Sequence, residues 1–291
     1  MRYTDLFRFH SQPVGDIEIA CRIAGDGPPL LLLHGFPQTN MMWHRIAPAL
    51  AAHFTVIAAD LRGYGDSSAP PGDVNHTTYT KRAMAADMVR LMASLGHDSF
   101  MVAGHDRGGR VAHRMARDHA DRVRRIAVLD IAPTAAMYGQ TDMRFATAYY
   151  HWFFLIQPAP LPERMIGADP EFFLRSKCGQ WGRTEGAITD AAFADYLRCF
   201  QRPENMHAMC EDYRAAATID LAHDAADAEV RLAMPLLALW GVDGFVGTQY
   251  DVLAEWRQVA DDVSGQGVPG GHYLPEEAPD DTLTALVNFF S

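Results

Sequence analysis

Cysteine is sparse in this chain. Cys21, Cys178, Cys199 and Cys210 are the four in 291 residues, and they form no C-x-x-C pair. No histidine cluster stands beside them at zinc-ligand spacing, so they read as ordinary buried or surface thiols, without a disulfide framework or metal site. No apolar run approaches the length of a membrane span. The opening residues Met1-Arg2-Tyr3-Thr4-Asp5 lead into no apolar leader segment, so a reduced, cytoplasmic setting is expected. Basic residues are outnumbered, 25 Lys and Arg against 36 Asp and Glu, for a formal net charge of -11. That balance disfavours nucleic acid or an anionic membrane as a partner. No internal repeat, low-complexity segment, or nucleotide, flavin or metal motif is visible, and no cofactor is expected.

What the chain does have is a core-forming composition, with 48% hydrophobic and 21% charged residues, ordinary for a globular protein. In the first half, short apolar runs alternate with longer amphipathic stretches, which predicts α/β architecture with a parallel sheet and crossover helices. Strands are expected over 17–23, 30–33, 54–59, 99–103, 125–129 and 235–240. Helices are expected over 42–52, 80–95, 108–119, 250–259 and 280–290, and a loop over 265–273. Met84, Met88 and Met92 recur at helical spacing and read as core packing. From about 133 to 227 the alternation stops. This stretch is helical in pattern, rich in aromatics, and punctuated by Pro158, Pro160, Pro162 and Pro170. The division expected is a core over 1–132 and 228–291, split by a helical cap over 133–227.

The segment Gly104-His105-Asp106-Arg107-Gly108-Gly109 lies between a predicted strand and a predicted helix. Small flanking residues permit a sharp, strained turn there that lifts one side chain above the sheet edge. Together with His34-Gly35-Phe36-Pro37, the run from Asp60 to Ser67, and Gly270-Gly271-His272, it resembles the α/β-hydrolase family along the whole chain. The resemblance implies a mostly parallel twisted sheet and places Asp106 and His272 together at the carboxyl ends of the strands.

An aspartate at the turn selects the chemistry. A serine attacking saturated carbon would leave an ether that water cannot readily cleave. A carboxylate leaves an ester, which histidine-activated water can hydrolyse at its carbonyl. Asp106 thus points to displacement of a halide or an epoxide oxygen. His272 as base needs a carboxylate to fix its tautomer, and the residues offer Asp130 or Asp243. Arg107 and Arg110 flank the nucleophile and could hold a substrate carboxylate. The alternative for them is surface ion pairing with Asp118 or Asp121.

Gly104 to Arg110 is similar, more narrowly, to the fluoroacetate dehalogenases. Epoxide hydrolases and haloalkane dehalogenases commonly carry Trp where this chain has Arg107, and haloalkane dehalogenases carry Asn where it has Phe36. The resemblance implies that Asp130 orients His272 and that Arg107 and Arg110 bind the substrate carboxylate. It further implies that His151, Trp152 and Tyr213 bind the halide, and that the backbone N–H groups of Phe36 and Arg107 form an oxyanion hole. By composition alone the aromatic trio would be cap packing. Lys177 and Trp181 resemble residues that wall the pocket, and relatives are often homodimers. The expected activity is hydrolysis of a carbon–halide bond in a small 2-haloacid, fluoroacetate giving glycolate and fluoride. Two alternatives remain. One is an epoxide hydrolase that uses Tyr213 with Tyr149 or Tyr150. The other is a catalytically silent binding protein on the same fold.

Overall fold

The computed structural model describes residues 3–291. Eight strands form one sheet in the order β1-β2-β4-β3-β5-β6-β7-β8. They are β1 (Arg8–Val14), β2 (Ile17–Ala24), β3 (Pro29–Leu33), β4 (Thr55–Ala59), β5 (Phe100–His105), β6 (Val123–Leu129), β7 (Leu236–Gly241) and β8 (Val263–Val268). The first two pairings, β1 with β2 and β2 with β4, are antiparallel. All later ones, from β4 and β3 through β7 and β8, are parallel. The centre of the sheet is covered on both faces, so β5 is buried along its whole length, as continuous apolar runs in parallel sheets require.

Two strands depart from the sequence expectation. The 265–273 stretch was expected to be loop, yet β8 occupies Val263–Val268 and runs parallel to β7. Its sequence Val-Ser-Gly-Gln-Gly-Val carries little apolar signal because it is an edge strand with alternating exposure. Strand β1, which had no counterpart in the expectation, is the opposite edge; it is largely polar and accommodates Pro13 because an edge strand need not donate every N–H. The helix expected over 42–52 is instead a 3₁₀ turn, Asn40–Trp43, followed by the short helix Ala47–Leu50. Pro48 lacks the N–H that a continuous helix interior would need, and so stands in the first turn of a new one.

Elsewhere pattern and structure agree closely. The helix Lys81–Ser94 is capped by Thr80, whose side chain accepts from the Ala83 N–H, and buries Met84, Met88 and Met92. Between β6 and β7 every regular element is a helix, from Thr134–Gly139 to Ile219–Ala226. Because the parallel strands all point the same way, the ends of β3, β5, β6 and β7 lie along one edge, with these helices connected across it. Ligand sites of open α/β sheets form at that edge.

Candidate active site

Strand β5 ends at His105, and the helix Arg107–Asp118 begins two residues later. Asp106 between them takes φ 45° and ψ -114°, a backbone state that side-chain-bearing residues rarely adopt and that marks functional turns. Glycine permits the turn by close approach. A Cβ on Gly108 would stand 2.3 Å from the His34 carbonyl oxygen, and one on Gly104 would stand 2.4 Å from the Gly108 oxygen. The Asp106 carboxylate is thereby raised into a buried site, where Phe36 N–H donates to its Oδ2 at 3.0 Å. Burial opposes its ionisation. The charges of His272, Arg107, His105 and Arg110 outweigh that, and its pKa falls below the ordinary carboxylate value.

His272 lies in the loop after β8. Its backbone N–H donates to the Trp181 carbonyl at 3.1 Å, and its own carbonyl is 2.7 Å from Nε2 of His105. Its Nδ1 is 2.6 Å from Asp130 Oδ2. Asp130 follows β6 directly, also at positive φ, 51°, and its other oxygen accepts from Gly241 N–H at 3.0 Å. Of the two carboxylates open from the sequence, Asp130 is the one hydrogen-bonded to the imidazole. Asp243 is exposed. Burial disfavours the imidazolium, but the hydrogen bond and charge of Asp130, with the charge of Asp106 behind them, raise the His272 pKa above 6.5.

Asp106 and His272 share the walls of a small, narrow cavity with Tyr149, His151, Trp152 and Trp181. A larger vestibule of about 220 Å³ adjoins it, sharing Tyr149, Trp181 and His272. Tyr213 stands just behind the cavity wall, its ring centroid 5.6 Å from that of His151 and 5.4 Å from that of Phe36. The Tyr213 hydroxyl and His151 Nδ1 are both buried without a hydrogen-bond partner. Burial lowers the His151 pKa well below 6.5 and raises that of Tyr213, so both are neutral donors. Lys177 is not a wall of this cavity. Its ammonium lies over the Tyr150 ring and donates to Gln180 at 2.7 Å, while burial lowers its pKa to about 8.

The two arginines are buried, not surface-paired. Arg107 is fully enclosed with its Cζ 4.2 Å from the Tyr213 ring centroid, and Arg110 stands 4.8 Å over Trp152. Neither lines the cavity itself; Arg110 packs against Trp152 in its wall, and Arg107 against Tyr213 behind it. Asp118 is bound by Arg114 and Arg82 instead, and Asp121 by Arg122. Arg110 donates to the Ala132 carbonyl at 3.3 Å, to Thr134 Oγ1 at 2.8 Å and to Met137 Sδ at 3.1 Å. Arg107 Nη1 and Arg110 Nε are buried without partners. Unsatisfied buried donors of charged groups are costly, and these two lie on the first turn of the helix that follows Asp106.

The chain matches the α/β-hydrolase fold family over residues 28–279. It belongs to the α/β-hydrolases. The hydrolase is 45% identical to a fluoroacetate dehalogenase of Burkholderia sp over 279 residues, 96% of this chain and 92% of that protein. It is 35% identical to a soluble epoxide hydrolase of Corynebacterium sp. (strain C12), over 92% of each chain. An α/β hydrolase of known structure from Nostoc sp PCC 7120 superposes with a TM-score of 0.97 at 56% identity, covering 98% of both chains. Among the described residues no helix is long and apolar enough to cross a membrane.

Sequence reasoning did not single out Asp212, which binds Arg107, or His105, which binds the His272 carbonyl. It weighed Tyr149 only as one of two choices in the epoxide alternative. The Arg107–Asp212 contact joins residues 105 positions apart, and no local pattern announces it. Tyr149 sits inside an aromatic run whose members look equivalent until the fold buries Tyr149 and leaves Tyr150 40% exposed.

Proposed function

We propose that this hydrolase removes halide from a small 2-haloacid, fluoroacetate being the expected case, by nucleophilic displacement at Asp106. The substrate carboxylate is drawn toward the free N–H groups of Arg107 and Arg110, which lie behind the Tyr213 and Trp152 rings. An Asp106 oxygen attacks the α-carbon opposite the carbon–halogen bond. The new bond is an ester C–O, and the halide leaves with the bonding pair toward the N–H and O–H donors of His151, Trp152 and Tyr213. His272, oriented by Asp130, takes a proton from water, which adds to the ester carbonyl of Asp106. The developing oxyanion is met by the backbone N–H groups of Phe36 and Arg107. Collapse passes the His272 proton to the departing oxygen and releases the 2-hydroxyacid, glycolate from fluoroacetate; the other proton of the added water leaves to solvent, which restores the Asp106 carboxylate. In this reading 133–227 is a cap over a core formed by 1–132 and 228–291. Trp181 and Lys177 belong to the cap side of the pocket, Lys177 one layer back.

The observation that carries the reading is the pair of enclosed guanidinium groups beside an aspartate nucleophile, each keeping an unpartnered donor. A neutral epoxide has no use for them. The similarity to a fluoroacetate dehalogenase supports the same assignment. Tyr149 in the cavity wall favours a second reading, an epoxide hydrolase in which Tyr149 and Tyr213 protonate the epoxide oxygen. One comparison separates them: free fluoride and chloride released from fluoroacetate and chloroacetate, against diol formed from a styrene-type epoxide. Halide release without diol supports dehalogenation. Diol without halide overturns it, and neither product leaves a silent binding protein. Exposed Leu161 and Met165 beside the groove formed by residues 158–168 support the homodimer implied by the resemblance. A monomeric mass by light scattering would remove that part.

A further inference from the structure

Behind the cavity Arg107 joins a buried charge cluster whose other members the mechanism above does not use. Arg107 has five N–H bonds. Nε donates to Asp212 Oδ2 at 2.7 Å, and Nη2 donates to Asp212 Oδ1 at 2.8 Å and to its backbone oxygen at 2.9 Å. Three of the five are spent on one residue, and the Nη1 end is left free. The Asp212 carboxylate is itself held from other directions. The Tyr64 hydroxyl donates to Oδ2 at 2.7 Å and the Lys81 ammonium to Oδ1. Lys81 is in turn 3.5 Å from Asp220. Asp212 is fully buried. Burial would raise its pKa, yet Arg107 and Lys81 hold it far below the usual carboxylate range. It is therefore an anion at any working pH.

Its position in the fold gives the contact a consequence. Asp212 sits on the helix Pro203–Ala217, while Lys81 and Arg107 begin two core helices. The next residue on the same helix is Tyr213, whose ring lies against the Arg107 guanidinium. A fork–fork contact fixes both the plane and the direction of a guanidinium. One side chain thus orients the cation meant for the substrate carboxylate, and its neighbour supplies a donor meant for the halide.

We propose that Asp212 is a positioning residue. It grips the Nε–Nη2 edge of Arg107 so that only the Nη1 end is offered to the substrate carboxylate, and it couples that end to the placement of Tyr213. This rests on the reading of the substrate as a small halocarboxylate. Asp212 also separates two cations: without it Arg107 and Lys81 would face each other as like charges out of water.

Replacing Asp212 alone changes both geometry and charge, and the bare Arg107–Lys81 pair could prevent folding. The decisive protein is therefore the double variant Lys81→Met/Asp212→Asn, which removes one positive and one negative charge together. It is compared with Asp212→Glu and the unaltered enzyme. KM and kcat for chloroacetate are measured, with inhibition constants for acetate and for neutral acetamide. The double variant is expected to raise KM for chloroacetate and the inhibition constant of acetate at least about tenfold, with acetamide changed less than about twofold. Asp212→Glu is expected to recover part of the loss. A folded double variant with unchanged or lowered KM and acetate constant would overturn the proposal. So would equal weakening of acetate and acetamide, which marks a merely structural role. If the unaltered enzyme releases no halide from any haloacetate, it is the parent reading that fails, and the acetate-to-acetamide comparison still tests the clamp by binding alone.

Discussion

Replacing Tyr213 by phenylalanine removes a single oxygen whose environment makes the outcome calculable. The hydroxyl is fully buried and makes no hydrogen bond, so the folded enzyme loses no internal partner when it goes. Removing an unsatisfied buried donor relieves a desolvation cost, and stability should be unchanged or slightly increased. The ring remains, keeping its contacts with Arg107, His151 and Phe36. The loss then falls on the step in which charge develops on the leaving halide. A hydrogen bond to a charged group is worth about 1.5–3 kcal/mol, and at 1.4 kcal/mol per factor of ten that is about 10- to 150-fold in rate. Fluoride, small and strongly hydrated, should suffer nearly the full amount. Bromide, which needs much less hydrogen bonding, should lose less than about threefold. The assay is halide release from fluoroacetate and bromoacetate at saturation, with a thermal melt of each protein. Equal losses for the two halides would remove Tyr213 from halide binding. A clear drop in melting temperature would show that the hydroxyl has a structural partner, and the arithmetic would not hold.

Other outcomes follow from the same geometry. His272→Asn should stop the reaction after the first bond is made, leaving one carboxymethyl group on Asp106. Intact-protein mass spectrometry with peptide mapping reads this, and an unmodified chain after incubation with substrate would contradict the assigned order of steps. Turnover needs neutral His272, and Asp130 holds its pKa above 6.5, so the acid limb of the kcat profile should lie above the ordinary histidine value, with activity rising as pH increases through it. Asp130→Asn should move that limb to lower pH while reducing the plateau, and a limb that stays in place would show that Asp130 does not set it. Gly108→Ala should destabilise by at least about 2 kcal/mol in urea unfolding, because the added methyl meets the backbone carbonyls of Leu33, at the end of β3, and of His34, which have nowhere to move. A change under ~0.5 kcal/mol would mean that the turn is looser than its contacts indicate.

Much of the α/β plan was legible because central strands announce themselves. The runs 30–33 of β3, 100–103 of β5 and 126–129 of β6 are buried and apolar, and the Gly-bounded turn after β5 needs small residues that the sequence displays. The edges were not legible. Strand β8 is Val-Ser-Gly-Gln-Gly-Val and β1 contains Pro13; both pair on one side only, so neither needs a hydrophobic pattern. The helix expected over 42–52 failed at Pro48, where a missing N–H interrupts what apolar spacing alone would continue.

By itself, the chain determined what its local chemistry can determine: an aspartate on a strained strand-to-helix turn, a histidine in a glycine-rich loop, and arginines one and four residues past that aspartate. Tertiary structure decided the partnerships. It brought Asp130 to 2.6 Å from His272, enclosed both guanidinium groups behind aromatic rings, and set Asp212 against Arg107. The physical reason is range. Turn geometry and helix spacing act over a few residues and are written in the order of the chain. Charge pairing and burial depend on distance through space, across segments that only the folded sheet and its covering helices bring together.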